Sequence, residues 1–191
     1  RYLKEIKTEE FLVKNREIKN EILFLNTNKY ILFICTYSLF SGKDLYNEQI
    51  ILIRDIHKTI KKTGLTLYIK PHPHSRSDEY DHLVNELGDN IRVGVPAILN
   101  GFGYIFSNDD QYYKIELMKK ALLIINLGTT LVIEASQLNN NICQLKVNKK
   151  SYPNIFDACN NSHVLRYLNE NKDIVNLEEN KIQIITQLLE R

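Results

Sequence analysis

The chain lacks long apolar runs, has little cysteine and carries almost no net charge, and each shortage excludes something. No stretch approaches the roughly 18–20 apolar residues that cross a bilayer as a helix, and no secretory leader is visible. The three cysteines, Cys35, Cys143 and Cys159, are odd in number and widely spaced. They suit reduced, buried thiols of a cytosolic protein better than a disulfide frame. Lys and Arg number 25 against 23 Asp and Glu, a net charge of +2, with no dense basic block. Nothing in that balance points to nucleic acid. The chain begins at Arg1 and its one methionine is Met118, so it reads as a piece of a longer protein. What is present is ordinary: 43% hydrophobic and 25% charged residues in 191, enough for one sizeable domain with its own core.

Short apolar runs alternate with longer amphipathic segments. Residues 1–28 are charged and helix-like and read as a connector or accessory helix. Residues 30–35 (YILFIC), 65–69, 91–95, 121–127 (ALLIINL) and 142–147 read as strands, mostly buried on both faces. Helices are expected over residues 44–62, 78–87 and 109–120, and from Thr129 to Gln137, with Ser41 and Ser77 placed as caps and Gly64 and Gly88 as stops. Residues 96–107 read as irregular. The tail from Ile155 reads as one or two helices, the last over residues 178–190. Strands that alternate with helices of ten or more residues predict parallel β-α-β units in a layered α/β domain. The competing view makes the short apolar runs pieces of helix.

Two of the four prolines bracket one histidine in Lys70-Pro71-His72-Pro73-His74-Ser75-Arg76. Proline fixes φ and donates nothing to a ladder, so the strand must end there. Open α/β sheets bind ligands just past the carboxyl ends of their strands. Lys70, His72, His74 and Arg76 around one rigid turn suit a phosphate or another anion. The same turn would equally serve only to shape the strand exit, with both histidines exposed. Period-two spacing also puts His72 and His74 on one side, as in a metal site, although His57, His82 and His163 do not follow strands and do not complete one.

The second segment is Asn126-Leu127-Gly128-Thr129-Thr130, followed by Glu134. A strand ends, a glycine permits a tight turn, and two hydroxyls open a helix whose amino end attracts anions. Glu134, one turn on, accepts hydrogen bonds and suits a pair of sugar hydroxyls. The plainer alternative is that Thr129 caps the helix and Glu134 is solvated. Together the two segments match a nucleotide, phosphate at the basic turn and ribose at the carboxylate.

Lys70-Pro71-His72-Pro73 after one strand, and Gly128-Thr129-Thr130 with Glu134 after another, resemble the C-terminal, nucleotide-binding half of GT-B glycosyltransferases. The likeness is to bacterial enzymes of surface polysaccharide assembly: capsule and lipopolysaccharide transferases, sialyltransferases with a His-Pro motif, and polyol-phosphate polymerases. It spans about residues 28–147. The resemblance implies a Rossmann-like parallel sheet over residues 29–191 that binds a nucleotide sugar of CMP or UDP type, with residues 1–28 as connector. It implies metal-independent transfer with no cofactor. His72 would contact the donor phosphate and stabilise the departing nucleotide. Thr129 and Thr130 would bind phosphate oxygens beside Gly128, and Glu134 would hold the ribose. Lys70, Pro73, His74 and Arg76 would assist. It further implies a glycan or lipid-linked acceptor, an N-terminal acceptor domain elsewhere, a cytoplasmic place peripheral to the inner membrane, and little or no turnover by this piece alone. A non-catalytic nucleotide-binding or interaction domain of the same fold and a metal hydrolase built on His72 and His74 remain as other readings.

Overall fold

A computed structural model of the chain describes residues 2–36, 42–73, 75, 78–95, 98–100, 103–105, 108–139, 141–160, 174–178 and 185. The expected caps Ser41 and Ser77, and the site candidates His74 and Arg76, lie outside the described residues. Helix α1 (Tyr2–Thr27) leads into β1 (Tyr30–Ile34), α2 (Gly42–Ile60), β2 (Thr66–Lys70), α3 (Asp81–Leu87) and β3 (Ile91–Val93). The strands β4 (Ile98–Asn100) and β5 (Gly103–Ile105) come next, then α4 (Asn108–Lys120), β6 (Leu123–Asn126) and α5 (Leu131–Ala135). The chain continues through β7 (Ile142–Lys146), α6 (Pro153–Asn160) and β8 (Ile174–Glu178).

Six strands pair in the order β3-β2-β1-β6-β7-β8, every pair parallel. This is the expected α/β, Rossmann-like sheet flanked by helices. The alternation of side chains sorts the strand residues into two cores. Ile31, Phe33, Leu67, Ile69, Leu123, Ile125 and Cys143 share one face with Leu52, Ile53 and Ile56 of α2 and Ile155 of α6. Leu32, Tyr68, Ile124 and Ile142 share the other with Ile18 and Leu25 of α1, Leu117 of α4 and Val132 of α5. Covering both faces is what makes the strands read as continuous apolar runs. All three cysteines are free and buried. Among the described residues no helix is long and apolar enough to cross a membrane.

Four local expectations need correction. Ile174-Val175-Asn176-Leu177-Glu178 is not helical lead-in but the edge strand β8, paired along its whole length with β7. The remainder of the expected last helix lies outside the described residues, apart from Ile185, which is helical and buried. The stretch read as irregular holds an antiparallel pair, β4 with β5, in which Asn100 stands opposite Gly103. Helix α3 begins at Asp81 rather than residue 78, after a turn, and Tyr80 caps it without a side-chain bond. Helix α5 stops at Ala135 rather than Gln137 and is only five residues long.

The charged first helix is tied into the second core. Glu21, 8% exposed, takes the Arg92 guanidinium through bonds of 2.7–3.1 Å. It also accepts the Tyr68 hydroxyl, which lies 2.6 Å from the Tyr113 hydroxyl. Arg92 rests 4.3 Å from the Phe24 ring centroid. Gly94 leaves room for this cluster: a Cβ there would come within 2.6 Å of the Tyr113 hydroxyl.

On the other face a second buried carboxylate joins helices distant in sequence. Glu48 of α2 accepts the Ile155 N–H at 2.8 Å, the Asn154 N–H at 3.2 Å and the Asn154 side-chain amide at 2.6 Å. It therefore satisfies amides at the amino end of α6, which a helix cannot satisfy internally. Glu48→Ala would leave the buried Ile155 N–H unpaired and take the acceptor from the half-buried Asn154, and should cost about 1–3 kcal/mol in urea unfolding. A change below about 0.5 kcal/mol would show that α6 does not depend on this contact.

Candidate functional site

The strand order reverses direction between β1 and β6, and at such a point the loops leaving neighbouring strands part and open a crevice. A cavity of about 330 Å³ lies there, within the ordinary range for small-molecule sites. Its floor is Ile34 and Cys35 at the exit of β1. One wall is Lys70 to Pro73 at the exit of β2, and the opposite wall is Thr129, Thr130, Leu131 and Glu134 after β6. Helix α4 closes a third side with Gln111 and Lys114. The two segments singled out from sequence thus line a single pocket although some sixty residues separate them.

The first wall is rigid for local reasons. The Cys35 N–H donates to the Lys70 carbonyl at 3.1 Å, which carries the β1–β2 ladder to the last residue before Pro71. The Ser75 N–H donates to the His72 carbonyl at 2.8 Å. This bond draws Ser75 back onto His72 just after Pro73, whose ring fixes its own φ. His72 and Pro73 are half-buried and Ser75 is buried. Lys70 is the electrostatically unusual group: desolvation pulls its ammonium down to about 8 from an ordinary 10.5. The Cys35 and Asp110 side chains oppose that shift, while Lys114 and Lys14 reinforce it. The Cys35 thiol is itself pushed up to about 12, chiefly by burial, so it offers the pocket a neutral apolar floor and not a nucleophile.

The second wall is held by a residue that sequence reasoning did not select. Asn126 ends β6 fully buried. Its side-chain carbonyl accepts the Thr129 hydroxyl at 2.7 Å and the Thr129 N–H at 3.2 Å. Its amide donates to Gln144 at 2.6 Å. An amide closing an otherwise apolar strand was the available signal. Thr129 consequently does not cap α5; its proton is given to Asn126, and at the cavity wall its hydroxyl is left to act as an acceptor. Thr130, also without a side-chain capping bond, is exposed and carries the hydroxyl suited to donate. Gly128 lines the turn and not the cavity. It has φ +83°, and a Cβ would lie 3.3 Å from Cys159 Cα, while the Cys159 thiol donates to the Leu127 carbonyl.

Glu134 is exposed but engaged, since its carboxylate meets the Lys114 ammonium at 2.6 Å. Gln111 and Lys114 were also missed; they sit three apart on α4 and so share one helix face. Asp110, beside Gln111, is taken by Lys14 of α1 at 2.6 Å, both side chains nearly buried. Among the described residues no three His, Cys, Asp or Glu side chains group as a metal site. No protein-family model matches the chain, and no curated protein sequence matches it.

Proposed function

We propose that this chain is the donor-binding domain of a nucleotide-sugar-dependent glycosyltransferase of the kind that builds bacterial surface polysaccharide. The observation that carries the reading is the single pocket, at the reversal of the strand order, lined by both Lys70-Pro71-His72-Pro73 and Thr129-Thr130-Glu134. A nucleotide fits its chemistry: an apolar floor, cations on one side, hydroxyl and carboxylate on the other. In glycosyl transfer the bond between sugar and phosphate breaks, and negative charge grows on the departing phosphate. Lys70 and His72, fixed by the strand end and the proline turn, are placed to neutralise that charge without rearranging, which is how preorganised groups lower a barrier. The acceptor and its activating base belong, on this reading, to a partner domain, and the whole enzyme works on the cytoplasmic side of the membrane.

The test is a thermal-shift screen with CMP, CDP, UDP and GDP, since a ligand that binds only the folded state raises Tm. At least one should raise it in a saturable way. His72→Ala should then weaken that nucleotide by about 1–3 kcal/mol with the fold intact. Absence of any shift at millimolar nucleotide, or full affinity in the His72 variant, would remove the assignment.

A further inference from the structure

We propose that the Lys114–Glu134 pair is a latch across the mouth of the pocket, opened by a ligand that carries both a phosphate and a vicinal diol, with Lys114 as a phosphate contact that sets specificity. This rests on the nucleotide reading of the site and names how the site selects its ligand.

Both partners line the cavity, from two different helices. Their side chains are 24% and 54% exposed, and ion pairs exposed to that degree contribute at most about 1 kcal/mol. The latch is therefore easily opened. The Lys14–Asp110 pair behind it, at 5% and 11%, is a closed structural contact by comparison. Lys114 also lies close enough to Lys70 to depress its ammonium, so two cations converge on the space between the walls. An anion there relieves their repulsion, a service that Glu134 performs for Lys114 when no ligand is bound.

The exchange follows from donor and acceptor chemistry. An ionised carboxylate only accepts hydrogen bonds, and so does a phosphate oxygen. Both compete for the Lys114 ammonium and repel each other. A phosphate alone that takes Lys114 leaves Glu134 charged, unpaired and beside another anion. A nucleoside alone can offer Glu134 two hydroxyl donors but has nothing with which to draw Lys114 away. A ligand with both groups satisfies both partners at once.

Isothermal titration of the full chain with inorganic phosphate, cytidine, uridine, CMP and UDP separates these cases, with circular dichroism to check folding. Lys114→Met should weaken the bound nucleotide about tenfold or more, and Lys114→Arg should retain most of the affinity. Glu134→Gln should move the two anions in opposite directions, binding inorganic phosphate several-fold more tightly and the nucleotide more weakly. Unchanged nucleotide affinity in Lys114→Met, or Glu134→Gln shifting phosphate and nucleotide the same way, overturns the latch and leaves the nucleotide site standing. Failure of the unaltered chain to bind CMP, CDP, UDP or GDP overturns both.

Discussion

Affinity for CMP should fall about tenfold or more between pH 7 and pH 10, with its midpoint set by Lys70. Burial brings that ammonium to about 8, so it is charged at neutral pH and neutral in mild base. The neutral amine gives up a charge-assisted hydrogen bond of about 1.5–3 kcal/mol. Few other groups confuse the reading. A nucleotide monophosphate is already fully ionised above its second pKa near 6, and the Cys35 thiol does not ionise until about 12. A bound phosphate stabilises the protonated form, so the midpoint should move upward when CMP is present. Lys70→Met should be weak throughout and flat across the same interval. A wild-type profile as flat as that of the variant would mean that Lys70 does not touch the ligand.

Stability without ligand should show the opposite trend. The unfolded chain holds the Lys70 proton to 10.5, while the folded chain releases it at about 8. Between those values the unfolded state binds more protons, so stability rises with pH. The depression corresponds to a cost on the order of 3 kcal/mol for keeping Lys70 charged inside the fold at neutral pH. Lys70→Met should accordingly be more stable than the parent at pH 7 even as it loses its ligand. That pairing of better folding with worse binding is expected of a functional charge and not of a structural one.

The second large effect concerns the first helix. Glu21→Ala should lower stability by about 3 kcal/mol, a fall in Tm of roughly 6–12 °C for a chain of this size. The carboxylate receives Arg92 through two nitrogens and the Tyr68 hydroxyl as well. Its removal leaves a guanidinium and the Tyr68 hydroxyl without their acceptor. The Arg92 side chain is 36% exposed, so water recovers part of the loss, which keeps the figure below that of a fully enclosed pair. Glu21→Gln keeps an acceptor for Tyr68 and should lose less. If Glu21→Ala melts with the parent, the helix is not anchored by this contact.

The sequence was most readable where one physical cause dominated. Tyr30–Ile34 and Leu123–Asn126 are buried on both faces, and an unbroken apolar run says so directly. Ile174–Glu178 was misread because an edge strand needs only its partner to be a strand; its alternating apolar and polar residues look equally like a helix start. Residues 1–28 read as a charged connector or accessory helix because their Lys and Glu resemble a solvated face, yet Lys14 and Glu21 are buried. Their partners, Asp110 and Arg92, are some seventy to a hundred residues away, and no local pattern announces them. The candidate site divides in the same way. Each wall has its own punctuation, a proline turn or a glycine turn, and so could be found. Lys114 sits in an unremarkable helix and becomes a wall residue only because α4 packs across the end of the sheet.

That packing makes the supposed connector hard to detach. A version of the chain starting at Lys29 would strip Phe24 from the rings of Tyr30 and Tyr68, and Ile18 and Leu25 from the same core. It would also leave Arg92 and Asp110 with no counter-charge from α1. An apolar sheet face studded with orphaned charges invites self-association. The natural trimming point suggested by composition is therefore the one most apt to yield insoluble material, and expression boundaries should be drawn ahead of the helix, not behind it.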